Sequence, residues 1–149
     1  MASIGCWSTL VAFDNITDYG SNLQFVQHVL EMDTTFPGNS GMWRAIDWVP
    51  LHHFIYALII TAEMAVGVLA GLSAARMLLA RHRPDQFRQA KALGAGALTL
   101  GIVLWLVGFE VIGGEWFLMW QSRAWNAQEA AFRFVVVLSL TLIFVCQDE

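Results

Sequence analysis

The chain has 149 residues, of which 57% are hydrophobic and 13% charged, with a net charge of −4 and a mean hydropathy of +0.55. An average soluble domain is roughly 25% charged, so this composition excludes an ordinary water-soluble globule and specifies a bilayer protein. No basic block suits a nucleic-acid backbone, which removes nucleic acid as a partner.

The N-terminal run "ASIGCWSTLVAF" spans positions 2–13, about 18 Å of helix, too short to cross the bilayer alone. It reads as a partial span whose beginning lies upstream, or as a half-buried segment packed on other helices. A cleaved signal peptide does not fit, because no positive region and no A-x-A-like site precede the polar "DNITDYGSN". Next, "SNLQFVQHVLEMD" places Leu23, Val26, Val29 and Leu30 on one helical face and Gln24, Gln27 and Glu31 opposite, which predicts a short outer helix lying on the membrane surface. "FPGNSG" is a turn-rich break.

Two strong spans follow, at 51–80 and 90–112, separated by the basic stretch "RHRPDQFRQAK"; each is long enough for a core of about 30 Å. A last span covers 127–146, opened by Asn126 and Glu129 at capping-box spacing. Small residues at Gly67, Gly71, Gly94, Ala97 and Gly101 predict close helix approach. Cys6 and Cys146 lie in apolar runs without a CxxC or a histidine at ligand spacing, and are expected to be buried thiols. The predicted fold is an all-α integral membrane bundle: one domain, 1–149, of four helices with the first truncated, plus the outer interfacial helix.

Five of the eight basic residues, Arg76, Arg81, Arg83, Arg88 and Lys91, lie between the two strong spans or at their facing ends. The positive-inside rule puts that loop in the cytoplasm and both termini with it. The opposite side then holds Trp43, Trp48, Trp116, Trp120 and Trp125, indoles suited to the headgroup level. Residues Glu115, Trp116, Trp120, Arg123, Trp125, Glu129 and Arg133 form an expected outer interfacial shelf. On it Trp116 and Trp120 stack along one helical face, and Arg133 pairs with Glu129 one turn earlier in a drier setting than Arg123.

The blocks "NITDYGSNLQFVQHVLEMDTTFP", "MWRAI", "LHH" and "GGEWFLMWQSRAWNAQEAAFRF" are long and unusual. Through them nearly the whole chain resembles the bacterial family of predicted small integral membrane proteins, domain of unknown function 2165. That family has a fuller first helix before its "NLTDYG"-like block than these residues supply. The resemblance implies four helices with both termini inside, in a bacterial inner membrane, and it implies no activity.

Glu63, near the middle of the 51–80 span, is the strongest chemical candidate, since a carboxylate at that depth is costly unless protonated, paired or hydrated. His52 and Tyr56 share its face, and the three could form an intramembrane polar stripe of the kind a proton path or quinone site uses. The plainer alternative is a hydrogen bond from Glu63 to a neighbouring helix. His52 and His53 point about 100° apart on a helix and cannot clasp one metal; no metal or cofactor is expected, and bound lipid is. Glu110, Glu115, Glu129, Arg133, Asp14, Asp18 and Asp47 all fall on the outer side, as an ion site or a polar network tying loops together. No nucleotide loop, nucleophile elbow, HExxH or CxxC is present.

Two functional classes follow. The first is a non-catalytic accessory or structural subunit of a larger inner-membrane assembly, respiratory in the first instance, partnered by another membrane protein or by further copies of itself. The second is a small proton- or quinone-handling transport or redox protein using Glu63 and His52. Only one span carries a central ionisable residue, whereas transporters build midplane sites from two polar or broken helices, so the first is preferred.

Overall fold

A computed structural model describes residues 1–147. Its elements, in chain order, are α1 (Ala2–Thr17), α2 (Tyr19–Glu31), a 3-10 turn at Met42–Arg44, α3 (Val49–Leu79), α4 (Pro84–Ile102), a π-helical continuation of α4 (Val103–Trp116), a second 3-10 turn at Met119–Gln121, and α5 (Gln128–Val145). No strand occurs among the described residues. Among the described residues three helical stretches are long and apolar enough to cross a membrane: Val49–Leu79, Pro84–Trp116 and Gln128–Val145. The protein is an all-α integral membrane bundle.

The first helix extends past the apolar run, through the polar "DNIT", to Thr17. It runs antiparallel to α3 at backbone contact: a Cβ on Gly5 would lie 2.8 Å from the Gly71 nitrogen, and one on Gly67 would strike Thr9. Gly94 and Gly101 do the same for the next seams, against Ser73 and Leu138. Small residues thus set the interhelical distances, as close packing in lipid requires. Gly5 is the member of this set that hydropathy alone does not single out.

Two apolar clusters result. Ile4, Val66, Ala70, Ala97, Leu98 and Leu138 fill the middle of the bundle. The other lies at one end, where Leu23, Val26, Val29 and Leu30 of α2 pack with Met32, Tyr56, Phe117 and Met119. The apolar face of α2 caps the end of the bundle, because the head of α3 and the turn after the π segment offer it an apolar floor.

The opposite end gathers residue 1, the short link between α3 and α4, and the end of α5: Met1 lies beside Gly94, and Lys91 Nζ donates to the Gln147 carbonyl at 2.8 Å. The basic stretch between the spans is mostly helical. Pro84 begins α4, a position where its missing N–H is no loss, so Arg88 and Lys91 ride on α4 and Arg76 on the last turn of α3.

From Val103 onward α4 winds as a π-helix for 14 residues, closing with Phe117 N–H to the Ile112 carbonyl at 3.0 Å, five residues back. Such winding is rare and favours functional sites; nothing in the hydropathy of these residues distinguishes it from an α-helix.

Three local expectations are corrected. Cys6 and Cys146 are exposed on the bundle surface, because an apolar run in a membrane helix faces lipid as readily as core. The capping box forms only in part. Asn126 Oδ1 accepts the Gln128 N–H at 3.0 Å, but Glu129 does not reach back, because it is engaged with Arg133. Trp116 and Trp120 do not share a helical face: Trp116 ends the π segment, Leu118 takes a left-handed conformation, and Trp120 lies in the following 3-10 turn.

Candidate functional site

On α3, His52, Tyr56 and Glu63 are 0%, 2% and 3% exposed, on the one face that steps of four and seven residues produce. No hydrogen bond joins them to one another; Tyr56 and Glu63 are both held by Asn15, and His52 by the segment before α3. Tyr56 O–H donates to the main-chain oxygen of Asn15 at 2.8 Å, and Asn15 Nδ2 donates to Glu63 Oε2 at 2.7 Å. Asn15, in the last turn of α1, therefore stands between the two, and it belongs to the site although apolar patterning gave no reason to select it. The Tyr56 proton points at a carbonyl and the Glu63 oxygen receives an amide hydrogen. The arrangement holds α1 to α3 without a continuous proton relay from Tyr56 to Glu63.

Nearer the capped end, His52 Nε2 bonds the Ile46 carbonyl at 2.7 Å. A carbonyl only accepts, so Nε2 carries the hydrogen. The other ring nitrogen, Nδ1, is buried without a hydrogen-bond partner and lies 3.7 Å from Glu31 Oε1. His53 turns outward to the Tyr19 hydroxyl at 2.8 Å, and the Tyr19 ring leans on Tyr56 with centroids 4.8 Å apart. The two neighbouring histidines diverge, as helix geometry demands. On the far side of the bundle, Ser73 Oγ donates to the Ala90 carbonyl at 2.7 Å.

The acids expected on the outer side do not converge. Among the described residues no three His, Cys, Asp or Glu side chains are grouped so as to hold a metal ion. Glu110, in the π segment, receives a long 3.4 Å bond from Gln128 Nε2, and its Oε1 is buried without a partner. Gln128 reaches it across Gly114, where a Cβ would come within 2.6 Å of Gln128 Nε2.

The Trp-rich segment is clamped to the segment that follows α2. Trp116 meets Trp43 edge-on at 5.8 Å, with the Arg44 guanidinium 5.4 Å from the Trp116 ring. Trp120 meets Phe36 edge-on, and Phe36 N–H donates to Gln121 Oε1 at 3.0 Å. Thr34 donates to Ser122 Oγ at 2.8 Å, and Trp125 stacks on His28, which bonds Asp33. Glu115 and Arg123 are exposed. Arg133 pairs with Glu129 at 2.7 Å, but the side chains are 67% and 86% exposed. Arg133 is not enclosed by the bundle: α5 turns Ala131, Leu138 and Val145 inward, which puts Arg133 on its outward face.

No curated protein and no solved structure matches the chain. Over residues 1–148 it matches the family described as "Predicted small integral membrane protein (DUF2165)", and with a bundle of membrane-length helices that bears out that description, the chain belongs to this family of bacterial multi-pass membrane proteins of unknown function.

Proposed function

We propose that the protein is a non-catalytic accessory or structural subunit of a larger assembly in the bacterial inner membrane, respiratory assemblies being the first to examine. The supporting observation is where the buried polar groups of α3 are engaged. Tyr56 and Glu63 bind Asn15, His52 binds the Ile46 carbonyl, and Ser73 binds the Ala90 carbonyl. Groups held in this way fasten helices together, as polar side chains do inside membranes. The termini and the α3–α4 link lie in the cytoplasm in this reading, and lipid fills the spaces around the shelf.

The competing reading, a proton- or quinone-handling protein using Glu63 and His52, draws on the burial of a carboxylate at mid-span. One experiment separates the two. The protein is purified in mild detergent, copurifying proteins are identified, and haem or flavin absorbance is recorded. A stoichiometric membrane complex that survives Glu63→Gln supports the accessory reading. Protein isolated alone, with a proton-dependent flux in vesicles that Glu63→Gln abolishes, overturns it.

A further inference from the structure

The outer face of α5 carries a feature that lipid does not explain. The helix has 18 residues, about 27 Å, so all of it is needed to cross a core of about 30 Å. Arg133 lies five residues into that length and Glu129 one. Both point away from the bundle, opposite the buried stripe of Ala131, Leu138 and Val145. Charged groups in spanning helices ordinarily face a protein interior or a watery cavity, because hydrocarbon solvates them poorly.

The residues sharing this face are regularly spaced. Glu129, Arg133, Val136, Leu140 and Ile143 follow one another at alternating steps of four and three and are all exposed. That is the seam of a left-handed helix pair, with branched apolar residues where knobs would enter holes. At its outer end the acid sits one turn above the base, so the seam is complementary to itself. Two parallel copies related by a two-fold axis along the membrane normal bring each Arg133 beside the partner's Glu129, and four charges alternate around the axis. An isologous contact of this kind closes at two chains.

We propose that the protein forms a homodimer through this face of α5, with the Glu129–Arg133 pairs exchanged between copies. The inference does not rest on the accessory-subunit reading, since two copies can pair whether or not another protein joins them.

Cysteine cross-linking in native membranes tests it, in a chain carrying Cys6→Ser and Cys146→Ser. Leu140→Cys or Val136→Cys should give a disulfide-linked dimer on mild oxidation, whereas Val103→Cys, exposed on the π segment, should not. Adding Arg133→Glu to Leu140→Cys places four acids around the axis and should lower the cross-linked fraction about tenfold, equivalent to about 1.4 kcal/mol of association free energy. The exchange Glu129→Arg with Arg133→Glu should restore it, which a mere folding defect would not allow. Failure of both seam cysteines to cross-link, linkage to a different protein only, or no restoration by the exchanged pair overturns the dimer.

Discussion

Asn15 Nδ2 donates to Glu63 Oε2 at 2.7 Å, tying the last turn of α1 to the midpoint of α3 at the one carboxylate that α3 carries. The bond satisfies an oxygen that is otherwise buried among apolar residues. Asn15→Leu removes the donor and leaves that oxygen without a partner, an omission that costs about 1–3 kcal/mol. Glu63→Gln keeps an accepting oxygen for Asn15 and should be milder. Thermal unfolding in detergent makes the comparison; equal losses from the two substitutions would show that the bond does not hold α1 in place.

Gly5 faces Gly67 and Gly71 at backbone contact. Gly5→Val has no space to enter, because the nearest atoms are main chain, and it should force α1 off α3 at about 1–3 kcal/mol, the usual range for overpacking. Gly96→Ala is the control, since nothing lies within 4 Å of a Cβ there, and it should be neutral or slightly stabilising. Melting points of the two variants in one detergent decide the matter; a wild-type melting point for Gly5→Val would remove this contact from the account of the fold.

Hydropathy made the spans legible because it measures depth in the bilayer, and it made the face of α2 legible because Leu23, Val26, Val29 and Leu30 alternate with polar neighbours. It carries no azimuth in a helix that is apolar all round. Cys6 and Cys146 therefore looked buried although both face outward, and nothing in the pattern told which way Arg133 faces, which is away from the bundle. His52, Tyr56 and Glu63 were found as polar exceptions in an apolar run. Asn15 was not, because it stands in a polar stretch where another amide draws no notice, and only the antiparallel docking of α1 on α3 brings it to Glu63. Nor does any residue type encode the π winding from Val103 to Trp116. The pairing of Trp116 with Trp43 depends on that segment ending beside the Met42–Arg44 turn.

Sidedness is open to direct measurement because the structure separates two ends. Gln86, exposed on the first turns of α4, and Ser40, exposed in the segment after α2, belong to opposite ends. In a background lacking Cys6 and Cys146, Gln86→Cys should resist a membrane-impermeant maleimide applied to intact spheroplasts and react in inverted vesicles, and Ser40→Cys should do the reverse. Five basic residues at the Gln86 end drive this expectation. Labelling of Gln86→Cys from the periplasmic side would invert the proposed topology.

Arg44 joins the stretch after α2 to the end of the π segment, its guanidinium 5.8 Å from the Trp43 ring and 5.4 Å from the Trp116 ring, with Nε donating to the Gly41 carbonyl at 3.3 Å. Cation–π contacts of this kind contribute roughly 0.5–1 kcal/mol each at exposed positions, and here both hold the stretch between α2 and α3 against the end of the π segment. Arg44→Ala should free that stretch locally without unfolding the spans, which rest on the separate mid-bundle cluster of Val66, Ala97, Leu98 and Leu138. Arg123→Ala, at an exposed position, should change nothing comparable. Limited proteolysis in detergent reads the difference as faster cleavage between Asp33 and Asp47 in Arg44→Ala alone, with an unchanged melting point. If both arginine variants are cut at the wild-type rate, the Trp43–Arg44–Trp116 contact is not what fixes this stretch, and the Thr34–Ser122 and Phe36–Gln121 bonds hold it instead.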